Sequence, residues 1–254
     1  MTEQALWLYG VMAGDAPDLP HCPGVDARRD AKLIRHADLA AVVSPVPREE
    51  YDRSALEQNL EDIERLEALA RGHERVLDEA LRAGAVVPVR LCTIYDGPER
   101  VRAMLERERA SLADALRRLR GTAEWGVKGY LMARDDDADE GAPASGMEYL
   151  ARKQRAREDA ETRRADVEAT AERVHRRLSR YAVDALLSRV QDRRLSGREE
   201  EMILNAAYLV AEARTAEFQS RFRELRRRHA DEGLEFELTG PWPAYHFARA
   251  PAGE

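Results

Sequence analysis

A two-layer α+β fold in two domains follows from three features of the chain. Short apolar stretches with strand character alternate with long amphipathic helical stretches, which is the pattern of helices packed on sheets. That pattern runs through twice, so the boundary falls at Gly121–Thr122, giving domains 1–121 and 122–254. The last stretch, Leu234 to Phe247, alternates Leu234, Phe236 and Leu238 with Glu235, Glu237 and Thr239, as a half-buried strand does. Trp242, Tyr245 and Phe247 follow closely, so the tail should be tied into a sheet.

In the first half, Ala5–Met12 is apolar throughout and predicts a strand buried on both faces. Residues 14–26 carry Pro17, Pro20, Pro23 and Gly24 and predict a loop. Lys32–His36 and Leu39–Ser44 flank Ala37-Asp38 and predict a tight hairpin. A long helix should start at Ser54, with Glu57 completing a capping box, and stop at Gly84; Gly72 is a candidate kink. Val86–Tyr95 reads as one strand, with Pro88 placing it at an edge, a bulge or a beginning. Glu99–Arg120 reads as one amphipathic helix closed by Gly121. This order resembles a ferredoxin-like unit whose first crossover helix has become a Pro-rich loop.

The second half runs strand, helix, strand, strand, helix, strand, the ferredoxin-like βαββαβ order. Glu124–Ala133 opens it, with Trp125 and Val127 on one face and Glu124 and Lys128 on the other, the latter two reading as a surface ion pair. Met147 to about Arg180 predicts a long helix whose first part lacks large apolar residues and should project into solvent. Val167, Ala171, Val174, Leu178 and Tyr181 then give it a packing face. Ala182–Val190 is a weak strand, Met202–Val210 a strong one, and Ala213–Arg228 a helix with Phe218, Phe222 and Leu225 on one stripe. Gly240, Pro241 and Pro243 should end the closing strand.

Composition excludes several function classes. A net charge of −7 argues against phosphate neutralisation on nucleic acid. Nothing in the sequence approaches the ~20 apolar residues of a membrane span, so a cytoplasmic protein is expected. Cys22 and Cys92 stand far apart without a CxxC, which disfavours a disulfide framework or zinc site. Asp135, Asp137 and Asp139 imitate the start of a calcium loop, but Gly141 is displaced and Gly146 stands where the bidentate Glu belongs. None of the usual catalytic, nucleotide or metalloprotease motifs is present, and the histidines are scattered. Catalytic, cofactor and metal residues are therefore expected to be none.

Several stretches in order resemble the gas vesicle protein F/L family: LWLYGVM, VVPVRLCTIY, EWGVKGYL, MILNAAYLV and, most specifically, LTGPWPAYHF. Relatives commonly carry an aromatic and a glycine where this chain has Leu91 and Cys92. The resemblance implies a two-domain α+β protein with a modified ferredoxin-like N-terminal domain. It implies an accessory or minor structural protein of gas vesicle formation, in the cytoplasm, whose partners are the hydrophobic shell protein and other gas vesicle proteins. It implies neither an enzymatic activity nor a cofactor.

Arg90, Trp125, Lys128, Trp242 and Tyr245 are the candidate partner-binding or structural residues. Arg90, between Val89 and Leu91, is suited to a bidentate carboxylate, either a partner's or its own. The first functional hypothesis is an assembly factor that shields an aggregation-prone building block with a sheet edge or helix face. The alternative is a small-molecule-binding or enzymatic domain with a pocket around Arg90, Tyr95 and Lys128. A third is a structural oligomer joined through the exposed helix at Ala151–Asp166.

Overall fold

The computed structural model describes residues 4–51, 62–132, 146–192 and 198–248. The chain divides into two compact units, Met1–Glu124 with Pro241–Glu254, and Trp125–Gly240. The segment from Pro241 onward thus groups with the first unit, whereas the sequence boundary assigned it to the second domain.

The first unit is built on β1 (Gln4–Ala13), buried from Ala5 to Met12. It pairs antiparallel with β3 (Leu39–Pro47), which forms a hairpin with β2 (Lys32–His36). The turn is Ala37-Asp38, as expected, and Ala37 sits at φ 51°. After a short turn of helix, α1 (Arg48–Tyr51), comes α2 (Ile63–Ala83), where Asp62 accepts from the Arg65 amide as N-cap. The helix start expected at Ser54 lies outside the described residues. Gly72 neither kinks nor divides α2: it is buried, and a Cβ there would approach Val25 Cα at 3.2 Å. The glycine serves close packing of the proline-rich loop.

The strand expected over Val86–Tyr95 is two short ones, β4 (Val86–Pro88) and β5 (Ile94–Tyr95), both antiparallel to β1. Pro88 has no amide to donate, and Cys92 adopts φ 63°, so the chain leaves the ladder between them. The single helix expected at Glu99–Arg120 is likewise two, α3 (Pro98–Arg107) and α4 (Arg109–Leu119), parted at Glu108. The bend lets α3 pack on β2 and β3 while α4 packs on β1 and β4. The α2 helix also contacts β1 and β4, so β1 is buried on both faces. The spatial order β2-β3-β1-β4 is ferredoxin-like with a loop in place of the first helix.

That loop has a polar tether. Tyr9 Oη accepts from the Val25 amide at 2.8 Å and lies 2.7 Å from Ser44 Oγ. Beside it, Trp7 Nε1 donates to His73 Nδ1 at 3.0 Å, and burial drives the His73 pKa down to about 4.

The second unit follows the order β6 (Thr122–Leu131), α5 (Gly146–Ser179), β7 (Asp184–Leu187), β8 (Glu201–Ala211), α6 (Thr215–Ala230) and β9 (Leu234–Trp242). A short 3-10 turn, Glu212–Arg214, precedes α6. The sheet order β7-β8-β6-β9 is again ferredoxin-like. Val167, Ala171, Val174 and Leu178 of α5 pack with Phe218, Phe222 and Leu225 of α6 onto Trp125, Tyr208 and Phe236. The predicted acidic loop, including Asp135 to Gly141, lies outside the described residues.

One expectation fails here for a clear reason. Gly240 and Pro241 do not end β9, which runs to Trp242. As an edge strand with one unpaired side, β9 is where a sheet tolerates a proline.

Candidate partner-binding surfaces

The segment that follows β9 is a strap. Pro243, Ala244 and Phe247 form a turn in which Tyr245 N donates to Pro243 O and Phe247 N to Ala244 O. Ala244 and Phe247 are buried. Tyr245 Oη donates to Glu74 Oε1 on α2 at 2.8 Å. The His246 amide donates to Glu124 Oε2 at 2.9 Å, and His246 Nδ1 lies 2.6 Å from Glu124 Oε1. Glu124 is only 4% exposed, so its carboxylate serves the strap and not a surface pair with Lys128. Burial, and then the Glu74 charge, pushes the Tyr245 phenol well above its ordinary range. Burial raises the Glu74 carboxyl, partly offset by the Tyr245 hydrogen bond. The Glu124 hydrogen bond raises His246.

The sequence-nominated residues are divided between the two units. Trp125 is 6% exposed and belongs to the second unit's core. Lys128 is half-buried on β6. Arg90 is exposed in the first unit's excursion between β4 and β5, where its carbonyl accepts from Thr93 Oγ1 at 2.7 Å. Tyr95 is buried in that same unit. Trp242 and Tyr245 are partly exposed at and beyond the end of β9. Among the described residues no group of His, Cys, Asp or Glu could hold a metal ion. Burial pushes both thiols, Cys22 and Cys92, up from their usual range, which makes them poor nucleophiles.

The sheet edges differ sharply in their protection. β2 presents Lys32 and Arg35, charges of the kind that discourage strand addition. Alongside β9, Arg198 bonds Glu237 at 2.7 Å and Glu235 at 3.3 Å while its guanidinium lies 4.3 Å from the Tyr130 ring centroid. The edge at β7 is the opposite case. Val183, Leu186, Leu187 and Val190 along and beside it are 63%, 41%, 59% and 54% exposed. In the antiparallel register with β8, Ser188 N donates to Asn205 O, so the backbone groups of Ala185 and Leu187 point to the free side. Asp184 Oδ1 takes the Ala185 amide at 2.9 Å, which leaves the Leu187 amide and both carbonyls facing outward.

Sequence reasoning located this segment only as a weak strand. Its Leu-Leu pair within VDALLSRV signalled an apolar strand, but exposure depends on which neighbour lies beyond it, and a sequence does not carry that.

Comparison with known proteins adds the family context. The family described as "Gas vesicle synthesis protein GvpL/GvpF" matches residues 5–249. Gas vesicle protein L of a Streptomyces species is 37% identical over 258 residues, covering 97% of this chain and 94% of that one. Gas vesicle protein F2 of Halobacterium salinarum is 27% identical over 250 residues, covering 97% and 93%. The crystal structure of the gas vesicle protein GvpF from Anabaena superposes with a TM-score of 0.69 at 21% identity, covering 99% of this chain and 98% of the other; it supports the fold.

Proposed function

Because the chain belongs to the gas vesicle synthesis protein GvpL/GvpF family, we propose that it assists gas vesicle assembly by holding the hydrophobic shell protein and other gas vesicle proteins. The role is one of binding without chemistry, performed in the cytoplasm at the growing vesicle.

The observation that carries this reading is the β7 edge, where four exposed apolar side chains adjoin outward-facing backbone groups. Such an edge pairs readily with an incoming strand, main-chain hydrogen bonds giving affinity and side chains giving selectivity. A wall-forming subunit with sticky surface needs that kind of temporary cover before it joins its neighbours. The edges at β2 and β9 carry charges instead, which favours β7 as the place for the guest. Arg90 and Trp242, both exposed, offer further contacts to other vesicle proteins.

Coexpression with the shell protein and affinity capture tests the proposal. Capture of the shell protein, lost when Leu186 and Leu187 are both replaced by lysine, is the expected result. Failure to capture any gas vesicle component, together with unchanged vesicle yield when the gene is deleted, would overturn it.

A further inference from the structure

The helix layer of the second unit contains a cleft of about 220 Å³ at the C-terminal end of α5. Arg177, Arg180 and Tyr181 line one side and Arg221, Glu224 and Leu225 of α6 the other. Tyr181 forms a wall held by cations: the Arg214 and Arg221 guanidinium carbons lie 5.3 and 5.7 Å from its ring centroid. Its hydroxyl accepts from Arg221 Nε at 2.8 Å.

The charges in and around this cleft do not balance. Arg221 pairs with Glu224 and Arg214 with Glu217. Arg177 and Arg180 are exposed and have no carboxylate partner among the described residues. Basic residues near a helix C-terminus commonly serve the end carbonyls. Here the Arg180 carbonyl is already bonded by Arg214 Nη1 at 3.3 Å. Two guanidinium groups, Arg177 in the last turn of α5 and Arg180 just past its end, are therefore left lining a cavity on a chain whose net charge is −7.

We propose that this cleft takes the carboxylate side chains of an acidic segment in a partner polypeptide, whose apolar flank continues onto β7. Guanidinium forks match carboxylates in two-bond geometry, and an aromatic wall suits the methylene stem of a glutamate. The cleft's own Glu224, Glu217 beside it and the chain's acidity oppose a long polyanion such as nucleic acid. Continuity with the apolar edge favours a peptide over a free anion. Tyr181 is two residues from Val183, at most about 7 Å of chain, and Val183 begins the exposed apolar row. An extended guest entering the cleft by its acidic end would have its next residues over that row. The inference rests on the edge-docking reading above and adds the polarity and direction of the guest.

Fluorescence anisotropy with the full chain tests it, using a labelled peptide of alternating valine and threonine ending in two glutamates. Its counterpart ends in two glutamines, and inorganic phosphate serves as competitor. The glutamate peptide is expected to bind at least about tenfold more tightly. That preference should vanish in the Arg177→Gln/Arg180→Gln variant, whose circular dichroism stays unchanged, and should shrink as salt rises. Equal binding of the two peptides, a preference that survives in the variant, or no binding of either peptide overturns the cleft assignment. Displacement of the glutamate peptide by equimolar phosphate also overturns it, because the site would then recognise a bare anion. If both peptides bind equally and Leu186→Lys/Leu187→Lys abolishes that binding, the cleft assignment falls while edge docking stands.

Discussion

Tyr245 donates its hydroxyl to Glu74 across 171 residues of sequence, at 2.8 Å, and so fastens the C-terminal strap onto α2. The bond leaves Glu74 Oε2 buried without a partner among the described residues, so the carboxylate depends on the tyrosine for its hydrogen bonding. Tyr245→Phe should therefore lower stability by about 1 kcal/mol. Thermal unfolding would show this as a drop of roughly 2–4 °C. An unchanged melting temperature would mean that water replaces the phenol without loss.

The second fastening is pH-dependent. His246 has a raised pKa because Glu124 accepts from it, so the folded state binds the proton more tightly than the unfolded chain. Its contribution is fully present below the unfolded histidine value, about 6.5, and is lost as pH rises through the folded value. Hydrogen exchange of the strap amides should thus be slower at pH 6 than at pH 9, after correction for intrinsic rates. Glu124→Gln should remove most of that difference.

His73 pulls the other way. Buried against Trp7 and Tyr9, it is neutral in the folded protein, with its pKa lowered to about 4. The unfolded chain takes up this proton first, so stability falls as pH drops from about 6.5 towards 4. The loss is on the order of 3 kcal/mol across that window. Titration of the His73 ring by NMR should show a midpoint far below that of an exposed histidine; an ordinary midpoint would refute its burial.

The β2–β3 turn offers a gain. Ala37 is exposed and held at φ 51°, a left-handed conformation costing a residue with a Cβ about 1–2 kcal/mol. Ala37→Gly relieves that strain at some entropic cost. The net should be a stabilisation of about 0.5 kcal/mol or more, read as a small rise in melting temperature.

Sequence reading recovered features whose cause is local. The alternation in Leu234–Leu238, the stripe of Phe218, Phe222 and Leu225, and the poor packing face of early α5 all follow from period and composition. It missed features set by tertiary context. Pro88 and Cys92 together detach a stretch that has the apolar run of one strand. Glu108 parts a continuous helical pattern, and the two helices so formed cover different strand pairs. Pro241 is tolerated because β9 is an edge, which only the strand order reveals. For the same reason the β7 surface went unremarked: Leu186 and Leu187 look like core residues until the strand order puts β7 at the end of its sheet. Cys92 occupies the left-handed backbone region that glycine prefers, at φ 63°, and nothing in its local sequence announces that.

Edge docking is tested most directly by hydrogen–deuterium exchange on the complex with the shell protein. Amide protection should appear over residues 183–190, with Leu187 the most affected, and should fail to appear with Leu186→Lys/Leu187→Lys. A stable complex that leaves this segment exchanging at its free rate would contradict the proposed role of β7.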